Sequence, residues 1–235
     1  MVGKRTLIAV PCHDMVHADF TRCLMELDKP AGTGFAMITN TLIYNARNTI
    51  AKNAVEAGFD YVLWLDSDMV FPSDTLKRLL EDMDGRDYVS GLCFSRKKNS
   101  APCIQSDVRW WVEGNEAKTS MDVFTEYPRD SLFEVAGSGF ACVMTSTVLL
   151  TKMVELYGAP FYPLMGMGED TTFCFRARQA GFKLYCDSRV KIGHIGQRIY
   201  NEDSYIIEHE VMKKYELRRE ATRNIGEYKK ECGDK

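Results

Sequence analysis

Little in this 235-residue sequence is in excess. Thirty Lys and Arg face 33 Asp and Glu, a formal net charge of −3. There is no whole-chain basic field of the kind that draws proteins onto nucleic acid, so a long nucleic-acid track is not expected as a partner. No apolar run approaches the roughly 20 residues a membrane span needs, and none has the form of a signal-peptide core. The expectation is a chain with no transmembrane segment and a cytoplasmic location. The eight cysteines, at 12, 23, 93, 103, 142, 174, 186 and 232, include no C-x-x-C pair. Most sit in apolar contexts such as Ala141-Cys142-Val143 and Phe173-Cys174-Phe175, which predicts reduced, buried thiols over disulfides or a zinc knuckle. Internal repeats and low-complexity linkers are absent too. Hydrophobic residues at 45% and charged residues at 27% are ordinary for a globular chain, and the length suits one large domain.

What is present alternates. Leu7-Ile8-Ala9-Val10, ending at Pro11, reads as a buried strand. Apolar positions 42, 43, 46, 50, 54 and 57 follow a helical period that Gly58 stops. Tyr61-Val62-Leu63-Trp64-Leu65 is a continuous apolar run, the pattern of a central strand covered on both faces. Pro72-Ser73-Asp74 opens a helix that Gly85 closes, and 88–94 is a further strand. This predicts an α/β fold with a mostly parallel central sheet flanked by helices. Residues 104–112 and 133–144 are β-like and are expected to add antiparallel strands to that sheet. Residues 147–157 read as a helix, 158–168 as a loop, and Glu169-Asp170 begins a helix stopped by Gly181. Residues 182–186 return as a strand. The organisation expected is a core over 1–198 and a charged helical extension over 199–235. The extension carries Ile206, Ile207, Val211, Met212 and Tyr215 at helical spacing, and homo-oligomer contacts are assigned to it.

The chemistry concentrates at Asp66-Ser67-Asp68, directly after the most apolar strand. Ligands of open α/β sheets bind beyond the carboxyl ends of strands, so these acids are expected to face a crevice. Alternate residues of an extended segment point the same way, and two hard carboxylates suit Mg²⁺ or Mn²⁺ that carries a phosphate ligand. The bland alternative is a strand-end aspartate capping the next turn. Gly168-Glu169-Asp170 places acids at a helix start, where capping is again the simpler account. His194, one of four histidines, follows a strand between Gly193 and Ile195.

In this order the motifs resemble a family. Ala46-Arg47-Asn48, Ile50-Ala51 and 58–69 are similar to the donor-binding half of GT-A-fold glycosyltransferases, family-2-like, of the small bacterial and phage type with a D-x-D motif. Gly137-Ser138-Gly139-Phe140-Ala141 resembles their segment beside the acceptor. Gly168-Glu169-Asp170 through Gly193-His194 resembles the segment with the catalytic acid and a metal-ligand histidine. The resemblance implies transfer of a sugar from a nucleotide-sugar, UDP- or GDP-linked by first expectation, to an unidentified acceptor. It implies a GT-A-like catalytic domain in which Asp68 and His194 bind Mn²⁺ or Mg²⁺, and Asp66 reaches metal-bound water or ribose. Pro11, Cys12 and His13 would border the base, and Arg47, Asp66, Ser67 and Asp68 would line the donor site. Gly137, Ser138 and Gly139 would lie on the acceptor side. For inverting transfer Asp170 is the candidate base and Glu169 an orienting residue; retaining transfer stays open.

The sequence departs from the family pattern at two places: Met37-Ile38-Thr39-Asn40 stands where a V-D-D-G-S-like segment is common, and Gln197-Arg198 is not followed by Trp. Arg96-Lys97-Lys98 lies in a polar loop that either closes over phosphates or is solvated. Trp110-Trp111 puts one indole on each strand face, leaving at most one for a sugar. The loop 158–168 reads either as an acceptor-side lid or as a plain connection. Two other functions share the local motif. One is a haloacid-dehalogenase-like phosphatase with Asp66 as nucleophile and Asp68 as acid, although that motif normally sits on the first strand. The other is a non-catalytic protein that binds a nucleotide-sugar.

Overall fold

The first strand, β1 (Thr6–Pro11), is buried along its whole length, as its apolar run requires. It sits second from the edge of a seven-stranded sheet in a computed structural model that describes residues 4–96, 100–196, 210, 211, 213 and 214. Contacts divide the chain between Ile195 and Gly196. In the second unit Glu210, Val211, Lys213 and Lys214 are helical; the rest of the expected C-terminal helix, like Lys97 and Lys98, lies outside the described residues.

The first unit continues through α1 (Ala18–Glu26), β2 (Gly34–Ile38), α2 (Ile43–Glu56), β3 (Tyr61–Leu65), β4 (Met69–Val70), α3 (Thr75–Asp82) and β5 (Tyr88–Leu92). Next come β6 (Ile104–Glu113), β7 (Glu116–Val123), β8 (Leu132–Val135), β9 (Gly137–Ser138) and β10 (Cys142–Ser146). The chain then runs through α4 (Thr147–Tyr157), α5 (Glu169–Gln179), β11 (Leu184–Lys191) and β12 (Gly193–His194). The main sheet has the order β2-β1-β3-β10-β5-β11-β8. Only β10 and β8 oppose the common direction. This is the mostly parallel α/β sheet expected.

Along β3 the side chains alternate between two cores. Val62 and Trp64 join the helices α2, α4 and α5 on one face, and Leu63 and Leu65 join α1 and α3 on the other. Trp64 is fully buried against Phe140 and Phe161, and its indole Nε1 donates to Thr145 Oγ1 at 3.0 Å. That bond satisfies the polar end that burial would otherwise strand. Helix α2 buries Ala46, Ile50 and Ala54 at four-residue spacing. It ends at Gly58, whose φ of 70° is the left-handed stop the sequence predicts.

Three parts of the chain differ from expectation. The segment 133–144 is not one strand: it breaks into β8, β9 and β10. Of the predicted antiparallel additions, β8 and β10 join the main sheet. The β6–β7 hairpin instead forms a separate sheet with β9, because its alternating pattern has one wet face. Helix α1 was not expected, although Phe20, Cys23, Leu24 and Leu27 fall on one face at i, i+3, i+4 and i+7 and pack into the core.

The insertion of β10 antiparallel between β3 and β5 positions the site. An antiparallel strand starts where its neighbour ends, so Ala141 meets Asp66 (Asp66 N–H to Ala141 O, 3.1 Å). Gly139 and Phe140 are thereby carried to the carboxyl end of β3. Strand β11 runs parallel to β5, so its continuation, β12, arrives at the same edge.

Candidate active site

At the carboxyl end of β3 the chain turns through Asp66-Ser67-Asp68, and the two acids take different partners. Asp66 Oδ1 accepts from Arg47 Nη2 at 2.8 Å, while Arg47 Nη1 donates to Glu169 Oε1. Arg47, on α2, is 3% exposed, and its guanidinium also lies 5.3 Å from the centre of the Phe140 ring. It ties the end of β3 to the start of α5 from beneath the crevice. Its two terminal nitrogens are given to protein carboxylates and not to open space where a nucleotide would lie, while its buried Nε has no hydrogen-bond partner. Glu169 is occupied in the same way. Desolvation raises the Asp66 carboxyl above its ordinary value; Arg47 offsets this only in part, and the nearby charges of Asp68 and Asp170 add to the rise. Three acids therefore crowd one place with a single buried cation beneath them.

Asp68 faces the other way. Its Oδ2 lies 3.4 Å from His194 Nε2 and 2.8 Å from Arg96 Nη1. The histidine arrives because β12 pairs with β4, His194 opposite Met69, and Ile195 N–H donates to Asp68 O at 2.8 Å. Gly193 permits this close approach: a Cβ there would come 2.5 Å from Val70 Cγ2. His194 Nδ1 is 3.0 Å from Phe94 O. A carbonyl oxygen only accepts, so Nδ1 carries the proton, and in the neutral ring the Nε2 lone pair is left facing Asp68. That is the orientation a metal-ligating imidazole adopts, with its far nitrogen fixed by a backbone carbonyl. The pair fits a hard divalent cation with open positions for phosphate oxygens. The expected third ligand does not join them. Asp66 is turned to Arg47, and among the described residues no set of three His, Cys, Asp or Glu is arranged around a common metal position.

Asp170 stands in the first turn of α5. Its Oδ1 accepts from Thr171 N–H at 2.7 Å. Its Oδ2 lies toward Gly139, 3.8 Å from where a Cβ at that position would be. Of the three residues expected on the acceptor side, only Gly139 opens here. Gly137 is buried, and Ser138 is 2% exposed with its hydroxyl 2.7 Å from Tyr88 OH. Strand β9 turns Ser138 into the core, so its side chain cannot touch an acceptor.

Pro11 and Cys12 are buried at the end of β1; the Cys12 thiol donates to Met15 O at 3.1 Å, and His13 is exposed next to Asp14. Among the described cysteines none is in a disulfide. Burial pushes Cys142, Cys174 and Cys186 up to about 12, so these thiols stay protonated and inert. The loop after α4 is pinned at both ends of its course. Asn48 accepts from Phe161 N–H (2.9 Å) and donates to Phe161 O (3.1 Å), and Trp110 Nε1 donates to Met165 O at 3.2 Å. Trp110 thus packs toward the loop while Trp111 is exposed. Arg96 appeared in the sequence only as part of a polar loop; nothing in its spacing signals its pairing with Asp68.

The model of glycosyl transferase family 2 matches residues 34–135, which span β2 to β8 and include Arg47 and Asp66-Ser67-Asp68. Over those residues, fewer than half of the chain, the sequence is similar to family 2 glycosyltransferases. Solved structures agree on the fold. A197 from STIV superposes with a TM-score of 0.56 at 15% identity, covering 84% of this chain and 97% of that one. GalNAc-T7, solved with UDP, GalNAc and Mn²⁺, superposes with a TM-score of 0.56 at 10% identity over 83% of this chain. The matched part spans 44% of the GalNAc-T7 chain. No curated protein gives a significant sequence match. No described helix is long and apolar enough to cross a membrane. The phosphatase reading needs Asp66 as nucleophile on a first strand, whereas Asp66 follows the third strand and its Oδ1 accepts from Arg47 of α2.

Proposed function

We propose that this enzyme transfers a sugar from a nucleotide-sugar to an acceptor hydroxyl in a metal-dependent, inverting reaction. The observation that carries this reading is the convergence of Asp68 Oδ2 and His194 Nε2 at 3.4 Å. They meet at the sheet edge where Asp170 is close enough to raise the pKa of Asp66. Bound there, Mn²⁺ or Mg²⁺ would neutralise the diphosphate that leaves with the nucleoside. Asp68 and His194 hold that position. Arg47 keeps Asp66 and Glu169 in place beneath it, with Asp66 reaching ribose or ordered water. The end of β1, Pro11 to His13, borders the base. Asp170 takes the proton of the acceptor hydroxyl at Oδ2, since Oδ1 is committed to the helix N-terminus. Gly139 leaves the space that the hydroxyl needs. The donor is a UDP- or GDP-sugar, and buried free thiols support a cytoplasmic setting.

Calorimetry with UDP, GDP, ADP, CDP and TDP, with and without Mn²⁺, tests the donor site. One nucleotide is expected to bind only with metal, and Asp68→Ala or His194→Ala should each weaken it at least tenfold. Binding by none, or equal binding in both variants, would remove the assignment.

A further inference from the structure

Beside His194 lies a cavity of about 510 Å³ that the reaction described above does not use, lined by Leu92, Phe94, Tyr127, Arg129, Lys191 and Gly193 among others. Its volume is within the range of about 300–1,000 Å³ typical of small-molecule sites. Leu92 ends β5, and Gly193 follows β11, so the cavity belongs to the same sheet edge as Asp68. It shares a wall with the metal pair: the Phe94 carbonyl holds His194 Nδ1, while Phe94 itself lines the cavity and is 37% exposed.

The charge in this cavity is unbalanced. Lys191 is paired with Asp130 at 3.2 Å. Arg129 has no carboxylate partner among the described residues. Its guanidinium instead lies 4.4 Å from the centre of the Tyr127 ring and donates to Tyr127 OH at 2.7 Å. Tyr127 is buried and stacked on Phe133 of β8. The turn that carries Arg129 is fastened to β11, with Ser188 Oγ donating to Pro128 O (2.9 Å) and accepting from Ser131 N–H (3.0 Å). An arginine held by stacking, with donors left over and no counter-charge, is prepared for a planar or tetrahedral oxyanion. An exposed aromatic residue in the same cavity suits the apolar face of a sugar ring.

We propose that this cavity is an acceptor subsite for a sugar bearing a carboxylate or a phosphate, with Arg129 as its counter-charge and Phe94 as its platform. The proposal rests on the glycosyl-transfer reading. It is tested by nuclear magnetic resonance on the full ¹⁵N-labelled chain with UDP and Mg²⁺, titrated with glucuronate, glucose 6-phosphate, glucose and inorganic phosphate. At least one charged sugar should bind tenfold more tightly than glucose and than inorganic phosphate, and should shift the Gly193 and Ser188 amides. Response to glucuronate alone assigns a carboxylate, and to glucose 6-phosphate alone a phosphate. Arg129→Met should abolish the preference and Arg129→Lys should keep part of it, with circular dichroism and UDP binding unchanged in both. Equal binding of glucose, a match by inorganic phosphate, or indifference to Arg129→Met would overturn the subsite. If UDP does not bind while charged sugars still bind through Arg129, the donor reading fails and the cavity's specificity stands.

Discussion

Replacing Arg47 by methionine keeps an apolar side chain on α2 but removes the guanidinium that lies over Phe140 and Phe161 and joins Asp66 to Glu169. Breaking a fully buried ion pair from one side costs about 3–5 kcal/mol, because it leaves uncompensated charge behind. Here the two acids keep 31% and 17% side-chain exposure, so water recovers part of the loss and the expected cost is about 2–4 kcal/mol. For a domain of this size, 3 kcal/mol corresponds to a fall in Tm of about 6–12 °C. Without Arg47 the Asp66 carboxyl, already raised by desolvation, should rise further, so the loss should grow as pH rises above the ordinary carboxylate range. The cost arises from stranded charge, so Asp66→Asn and Glu169→Gln added to Arg47→Met should restore most of the lost stability. Thermal and urea unfolding of the single and triple variants measure this. A Tm for Arg47→Met within 2 °C of the parent, or a triple variant less stable than the single, would refute the clamp.

Two further predictions concern single acids. Asp170→Asn should reduce turnover of the nucleotide-sugar by about 10²–10⁴-fold, the usual contribution of a general base, while leaving metal-dependent nucleotide binding intact. Turnover at the parental rate would remove Asp170 from proton transfer. Asp82 and Asp187 are buried together beside Arg189. Desolvation, then the hydrogen bond and charge of Asp187, raise Asp82 to about 6. Burial of Asp187 works in the same sense, but its bonds to Arg189 and Asp82 outweigh it and hold that carboxyl low. A carboxyl whose folded pKa lies above its unfolded value stabilises the fold while protonated. That contribution is complete below about pH 4 and is lost as pH rises through about 6. The parent should therefore lose stability between pH 4 and pH 7 relative to Asp82→Asn, read as the difference between their Tm curves. Parallel curves would show that Asp82 is not protonated in the fold.

Much of the fold was legible because burial and periodicity are local. The run 61–65 can only be a doubly covered strand, and Gly58 and Gly181 both adopt the positive φ that a helix stop uses. The helix 147–157 and the start of the helix at 169 were legible for the same reason. Antiparallel pairing was harder to place. The β6–β7 hairpin is largely wet and stands apart, whereas β10 is buried throughout; long-range register decides that β10 enters between β3 and β5. Helix α1 carries an equally local stripe, Phe20, Cys23, Leu24 and Leu27, which its spacing made legible and the expected elements did not include.

The site divides along the same line. The order of motifs singled out Asp66, Asp68, Asp170 and His194 through the family resemblance, since turn and helix capping account for the acids taken one at a time. Sequence alone could not say which partners they would take. That Arg47 lies beneath Asp66 and Glu169, that Arg96 and His194 share Asp68, and that Ser138 turns into the core depend on residues from 19 to more than 120 positions apart meeting at one edge. Those distances are set by the pairing of β10 with β3 and of β11 with β5. The sequence by itself determined which side chains are available for the chemistry. The tertiary structure decided which of them face the crevice, because in a packed sheet direction and register, rather than residue type, choose what each carboxylate meets.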